Sequence, residues 1–168
     1  MRANPFAWSF RAQFAFGFLA CVGLLAYALY LQYWQYLDPC PLCIFQRYAF
    51  VLLAVVFALG AIVGPARPGG RKAFGLLAFA SAAIGIGIAG WHVYLQTLPP
   101  SDVPACGPGL EFLWQTNSLG GVLGKVFTGS GECATIDWTF LGLAMPAWAL
   151  VWFVILGAGA LWAGFRAR

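Results

Sequence analysis

Four stretches of this chain are almost continuously apolar and long enough to cross a bilayer, near Phe14–Gln32, Phe45–Val63, Ala73–Leu95 and Gly142–Ala163. A hydrocarbon layer of roughly 30 Å takes about 20 helical residues. Backbone N–H and C=O groups find no water partner in lipid, so a spanning segment must satisfy them internally. The stretches lack the alternation of barrel strands, which leaves helices. Composition forbids hiding them in a soluble core: of 168 residues, 62% are hydrophobic and 8% charged, where a soluble domain carries roughly 45–50% and about 25%. A chain of about 150 residues buries only some 70% of its unfolded surface. The excess must face lipid, in keeping with a mean hydropathy of +0.82. The expected fold is an all-α integral membrane protein, a single four-transmembrane-helix bundle over residues 1–168, with loops at about 33–44, 64–72 and 96–141.

The first stretch follows Arg2 and Arg11, and Phe18-Leu19-Ala20-Cys21 faintly resembles a lipoprotein cleavage site. Its apolar run continues through Leu24, Leu25 and Tyr30, too long for a signal-peptide core of about 7–15 residues. It is read as a retained span.

Charge placement orients the bundle. Arg2, Arg11, Arg67, Arg71, Lys72, Arg166 and Arg168 lie at the termini or in the Gly/Pro-rich turn 64–72. The positive-inside rule counts Lys and Arg, and it puts both termini and that turn in the cytoplasm. The five acids, Asp38, Asp102, Glu111, Glu132 and Asp137, lie in the other two loops. The net charge of +4 has no basic run longer than Arg71-Lys72, so nucleic acid is not an expected partner. Within the large loop, Leu119, Val122, Leu123, Val126 and Phe127 form one helical stripe too short to span. It predicts a helix lying along the membrane surface or packed on the tops of the spans. Small residues four apart, Ser81/Gly85, Ala83/Gly87, Gly159/Ala163 and Ala160/Gly164, predict close helix packing.

Of the five cysteines, Cys21 lies mid-span and reads as an inert small hydrophobe. Cys40, Cys43, Cys106 and Cys133 face outward, and an even outward set normally forms disulfides. Three connectivities are open to four cysteines; pairing within each loop is the economical one. A Cys106–Cys133 bridge works as a staple, since closing a loop of that size stabilises by roughly 3–4 kcal/mol. Cys40-Pro41-Leu42-Cys43 works poorly as one, because a bridge across two residues removes little chain entropy. Its spacing points to redox chemistry. A zinc site is disfavoured because there is no second close cysteine pair and only one histidine. Covalent haem attachment would need a histidine where Ile44 stands. No metal is expected.

Both cysteines of that motif sit at the start of the second helix, where unpaired N–H groups stabilise a thiolate. Arg47 follows Cys43 at i+4, on the same face. An arginine just inside an apolar span is costly and marks function by default; the plainer alternative is a snorkelling anchor. His92 lies near the outer end of the third span, at the depth of Cys43 and Arg47, and reads either as a hydrogen-bonded structural residue or as part of a site around an electron acceptor. A chain that generates disulfides must pass on two electrons. With no dinucleotide fingerprint, metal set or haem motif, a quinone dissolved in the bilayer is the natural acceptor.

These features resemble the DsbB-type disulfide bond formation proteins of the bacterial inner membrane. The resemblance rests on the four spans, on Cys40-Pro41-Leu42-Cys43-Ile44 with Arg47, on His92 and Cys106, and on Gly131-Glu132-Cys133 with Trp138, Phe140-Leu141-Gly142 and Met145-Pro146. It implies a protein-disulfide oxidoreductase that reoxidises a DsbA-like thioredoxin-fold periplasmic partner and passes electrons to ubiquinone, or to menaquinone when oxygen is scarce. It further implies that the partner attacks Cys106 of a Cys106–Cys133 bridge, that Cys133 then attacks Cys40, and that the freed Cys43 thiolate meets the quinone near Arg47 and His92. The chain departs from the pattern in carrying Cys21 and in having Gln46, which gives Arg47 no acidic neighbour on its helix. Two rival readings are a vitamin K epoxide reductase-like thiol oxidase and a non-catalytic, disulfide-stapled membrane scaffold. The first would place the active C-x-x-C near the last span instead of at the opening of the second.

Overall fold

The computed structural model describes residues 8–99, 120–121, 131–136 and 138–166. Four long helices carry it: α1 (Phe10–Trp34), α2 (Pro41–Val63), α3 (Pro68–Leu95) and, after the single turn α4 (Gly131–Ala134) and a short hairpin, α5 (Met145–Phe165). All four are long and apolar enough to cross a membrane. The expected membrane-helix bundle is therefore the fold.

Helix ends follow local chemistry. Ser9 caps α1, its Oγ accepting from the Ala12 N–H at 3.2 Å. The second helix begins four residues earlier than the apolar run alone suggested, because Pro41 occupies its first turn, where a missing N–H costs nothing. Gly64 ends it in the left-handed region (φ 51°), the usual terminator that only glycine adopts without cost. Arg11 reaches across from α1 to donate to the last carbonyls of α2, Ala61 O at 3.0 Å and Ile62 O at 3.3 Å. Lys72 lies over the Phe165 ring, 5.6 Å from its centroid. The start of α1, the end of α2, the start of α3 and the end of α5 thus share one end of an up-down-up-down bundle.

The fourth span begins at Met145, three residues later than expected. Thr139–Phe140 and Leu143–Ala144 pair as a two-stranded antiparallel hairpin, with Thr139 opposite Ala144. Its turn residues Leu141 (φ 50°) and Gly142 (φ 78°) both have positive φ, as the tightest hairpin turns require. Trp148 Nε1 donates to Phe140 O at 2.9 Å and ties the hairpin to α5.

The core is aromatic and small-residue packing: Phe14, Leu53, Phe57, Ala78, Ala82 and Phe153 are buried, and Cys21 is fully buried among them. The tightest seam runs between α3 and α5. A Cβ on Gly75 would lie 2.9 Å from Ala160 O, one on Gly164 2.9 Å from Arg71 O, and one on Gly85 would run into the Phe153 ring. Ser81/Gly85 and Ala160/Gly164 therefore pack as expected. Ala83/Gly87 does not: both residues are exposed, and a Cβ on Gly87 would meet nothing within 4 Å. Gly159 likewise faces outward, although Ala163 is buried. The stripe at 119–127 lies outside the described residues except for Gly120 and Gly121, both helical.

Candidate functional site

The site lies at the other end of the bundle, where α1 and α3 finish and α2 and α5 begin. Cys40 is the N-cap of α2. Its sulfur accepts from the Cys43 N–H at 3.3 Å, filling the place a serine or aspartate oxygen usually takes. The same turn brings the two thiols together, Cys40 donating to Cys43 with Sγ atoms 2.8 Å apart. Such a bond favours negative charge on Cys43, which the helix N-terminus also favours.

Cys133 comes from a segment 90 residues away in sequence, yet packs into the same cluster as Cys40, Leu42, Ile88 and Leu95. Its side chain is hydrogen-bonded to Cys40. This contact, followed by that with Cys43 and by burial, pushes the Cys40 thiol well above the usual range. Cys40 is held neutral, between two other sulfurs.

His92 is the pivot of this arrangement and is 2% exposed. Its Nδ1 lies 3.0 Å from Gln46 Nε2, its Nε2 lies 3.0 Å from Cys133 O, and the Cys40 sulfur is 3.8 Å from Nε2. An amide nitrogen only donates, so Nδ1 accepts; a carbonyl only accepts, so Nε2 carries the proton. The neutral Nε2–H tautomer follows from the amide orientation. Through it α2, α3 and α4 are tied together, and the backbone of Cys133 is fixed beside Cys40.

Arg47 takes the opposite side of Cys43. It donates through Nη1 to Gln32 Oε1 and through Nη2 to Ala28 O at 3.2 Å. Both partners are neutral, so the absence of an acidic neighbour on α2 is met by hydrogen bonding without loss of charge. Sequence reasoning missed Gln32 and Gln46. Both are amides within or at the edge of apolar spans, the same signal that picked out Arg47 and His92.

Two cavities meet at Cys43 and Arg47. One, of about 350 Å³, opens past Asp38, Cys40, His92 and Gln96 and is the more polar of the two. The other, of about 420 Å³, runs between α1, α2 and α5 and is walled by Leu24, Phe50, Trp138, Phe140, Trp148 and Trp152. Of the residues singled out in the sequence, Cys40, Cys43, Arg47, His92 and Cys133 converge here. Cys106 lies outside the described residues. Cys21 is remote, in the core among the helices.

Comparison with known proteins fits this geometry. Residues 10–163 match the family model described as Disulfide bond formation protein DsbB. The chain is 57% identical over 165 residues to Disulfide bond formation protein B of Xanthomonas campestris pv. campestris (strain 8004), covering 98% of this chain and 96% of the relative. It is 50% identical over 165 residues to the protein of the same name from Xylella fastidiosa (strain 9a5c), covering 98% and 95%. Three sulfurs, an arginine and a histidine gathered at one end of four membrane helices are thus found on a chain that belongs to the DsbB family of disulfide bond formation proteins, a multi-pass membrane disulfide oxidoreductase.

Proposed function

We propose that this protein reoxidises a DsbA-like, thioredoxin-fold dithiol protein in the periplasm and delivers the two electrons to membrane quinone. The observation that carries the reading is that Cys43 and Arg47 line both cavities, with Cys40 and His92 on the more polar side and an apolar, aromatic-walled space on the other.

Cys106 receives the partner. Its thiolate attack opens a Cys106–Cys133 bridge, leaves Cys133 as the free thiolate, and joins the partner to Cys106. The partner's second cysteine then resolves that bond and departs oxidised. Cys133 attacks Cys40: the Cys133–Cys40 bond forms, the Cys40–Cys43 bond breaks, and Cys43 leaves as a thiolate carrying the electron pair. Attack is favoured by a good leaving thiol, and the helix N-terminus and the Arg47 charge make Cys43 one. His92 contributes by holding the Cys133 backbone, so the attacking sulfur needs little motion.

The apolar cavity suits a quinone ring. Its aromatic walls offer flat faces, it opens among lipid-facing helices, and Arg47 places a positive charge at its inner end. Arg47, Cys43 and the Trp148 and Trp152 side chains would hold the ring. A quinone bound there supplies a two-electron, two-proton sink, ubiquinone or, when oxygen is scarce, menaquinone. Arg47 keeps negative charge near Cys43 stable, and the indoles exclude water. The basic residues at the other bundle end support an inner-membrane protein with both termini cytoplasmic and the cysteines periplasmic.

The test is quinone reduction by purified protein given a reduced thioredoxin-fold donor. Quinol should form in step with oxidised donor, and a donor whose second cysteine is replaced by alanine, unable to resolve the mixed disulfide, should accumulate as an adduct on Cys106. Absence of turnover with an active donor, or an adduct on any other cysteine, overturns the reading.

A further inference from the structure

The same cluster has a second chemical capacity when its thiols are reduced. Cys40 Sγ, Cys43 Sγ and a ring nitrogen of His92 all lie within 4.8 Å of one another. Zinc bonds sulfur at about 2.3 Å and imidazole nitrogen at about 2.0–2.1 Å. On a tetrahedral ion a sulfur and a nitrogen ligand then lie about 3.6 Å apart, so the widest separation in the cluster must close by up to about 1.2 Å. A tetrahedral ion wants its sulfurs about 3.8 Å apart, so Cys40 and Cys43, now at 2.8 Å, must part by roughly 1 Å. The adjoining polar cavity leaves room for that rotation.

We propose that the reduced protein binds a soft divalent cation, Zn²⁺ foremost, through Cys40, Cys43 and His92, with Cys133 in the fourth position, and that the ion arrests the reduced state. Zinc looked unfavourable from the sequence because one close cysteine pair and one histidine do not make a ligand set. The fold removes that objection by bringing His92 from α3 and Cys133 from α4 to the same turn of α2. Cys133 is already hydrogen-bonded to Cys40. Binding exchanges thiol protons for the ion, the protons passing to solvent, with no change of oxidation state.

Two features suit the turn to a metal. The Cys43 N–H already points at the Cys40 sulfur, a bond that supports a coordinated thiolate. Gln46 lies behind the imidazole on its Nδ1 side. To bind through Nε2 the ring must carry its proton on Nδ1. Gln46 permits this by turning its amide so that Oε1 accepts, since an amide presents a donor at one edge and an acceptor at the other. It then becomes the outer partner that a metal-bound histidine ordinarily has.

Selectivity for the reduced state is intrinsic, because a Cys40–Cys43 disulfide offers no thiolate. A bound ion would also remove both sulfurs from exchange. The inference does not depend on the identity of donor or quinone.

The test uses untagged, full-length, quinone-depleted protein, reduced, freed of reductant and titrated anaerobically with Co²⁺ as a spectroscopic probe. One ion per chain should bind, with thiolate-to-cobalt charge-transfer absorption and the visible bands of tetrahedral cobalt. Zn²⁺ should displace it, and oxidised protein should give neither signal. Cys40→Ser and Cys43→Ser should each weaken the charge-transfer band and the affinity for cobalt, whereas Cys21→Ser and Cys106→Ser should leave both unchanged. Gln46→Leu should weaken binding about 10–100-fold. A readout free of substitutions is the unfolding temperature, which Zn²⁺ should raise in reduced but not oxidised wild type. A cobalt spectrum unchanged in Cys40→Ser, or lost in Cys106→Ser, overturns the site. So does an unfolding temperature of the reduced protein that Zn²⁺ leaves unmoved. None of these failures affects donor-to-quinone turnover, so the two readings stand or fall separately.

Discussion

The seam between α3 and α5 and the gap between α1 and α5 are both apolar and do opposite things. Along the seam, Gly75, Gly85 and Gly164 let backbone meet backbone or ring, and no space is left. Across the gap, Trp138, Trp148 and Trp152 hold the helices apart and leave about 420 Å³ beside Cys43. Small residues close a membrane bundle, while large flat ones prop it open. In lipid no hydrophobic force squeezes the gap shut, so side-chain size decides where helices touch.

The largest effect that can break this contrast is chemical. Cys43→Ser should abolish quinone reduction by the purified protein while leaving its helical content intact. Retained turnover would mean that the gap is not where electrons leave. Next comes the seam. Gly85→Leu drives a side chain into the Phe153 ring and should cost about 1–3 kcal/mol, as overpacking generally does, read as a lower unfolding temperature in detergent or nanodiscs. On the gap side, Arg47→Ala removes the charge that faces the cavity and should raise the quinone KM about tenfold with a much smaller change in unfolding temperature. A KM unchanged in that variant would reduce Arg47 to an anchor bonded to Gln32 and Ala28.

Cys40 gives a pH test of the polar side. Its thiol sits above the ordinary range because Cys133, then Cys43, hydrogen-bond to it and burial disfavours charge. A raised value means that the neutral form persists through neutral pH. In the reduced protein, mass spectrometry should therefore find Cys40 alkylated far more slowly than free cysteine near neutrality, the rate rising only in alkali. Cys133→Ala should speed it. The smallest effect is a control: Gly87→Ala, on the exposed face of α3 with open space around it, should leave turnover unchanged and raise stability by no more than about 1 kcal/mol.

Much of this was legible in the chain. Hydropathy alone yields four spans, because lipid imposes one length and one composition on every helix that crosses it. Cys40, Cys43 and Arg47 were legible too, since their spacing puts them on one face of the first two turns of a helix whatever the tertiary fold. What was hidden depends on side chains meeting from distant segments. The Gln46–His92–Cys133 chain joins three elements, and no periodicity encodes it. The hairpin at Thr139–Ala144 was obscured because its apolar residues extend the run of the fourth span. Only Gly142, placed to follow a residue with positive φ, hinted at a turn. Of the small-residue pairs, Ala83/Gly87 failed because spacing defines a face without saying what that face meets.

Cys43 stands in the wall common to a polar and an apolar compartment. In the proposed relay, a reactant that reaches the cluster from one side need not vacate the other, so the donor protein and a lipid-soluble ring could be engaged at the same time. Their sizes and shapes then impose no constraint on each other. What couples them is the short wall they share, Ala28, Cys43, Arg47, Trp138 and Met145, and either compartment can be reshaped by mutation outside that wall while the other keeps its fit.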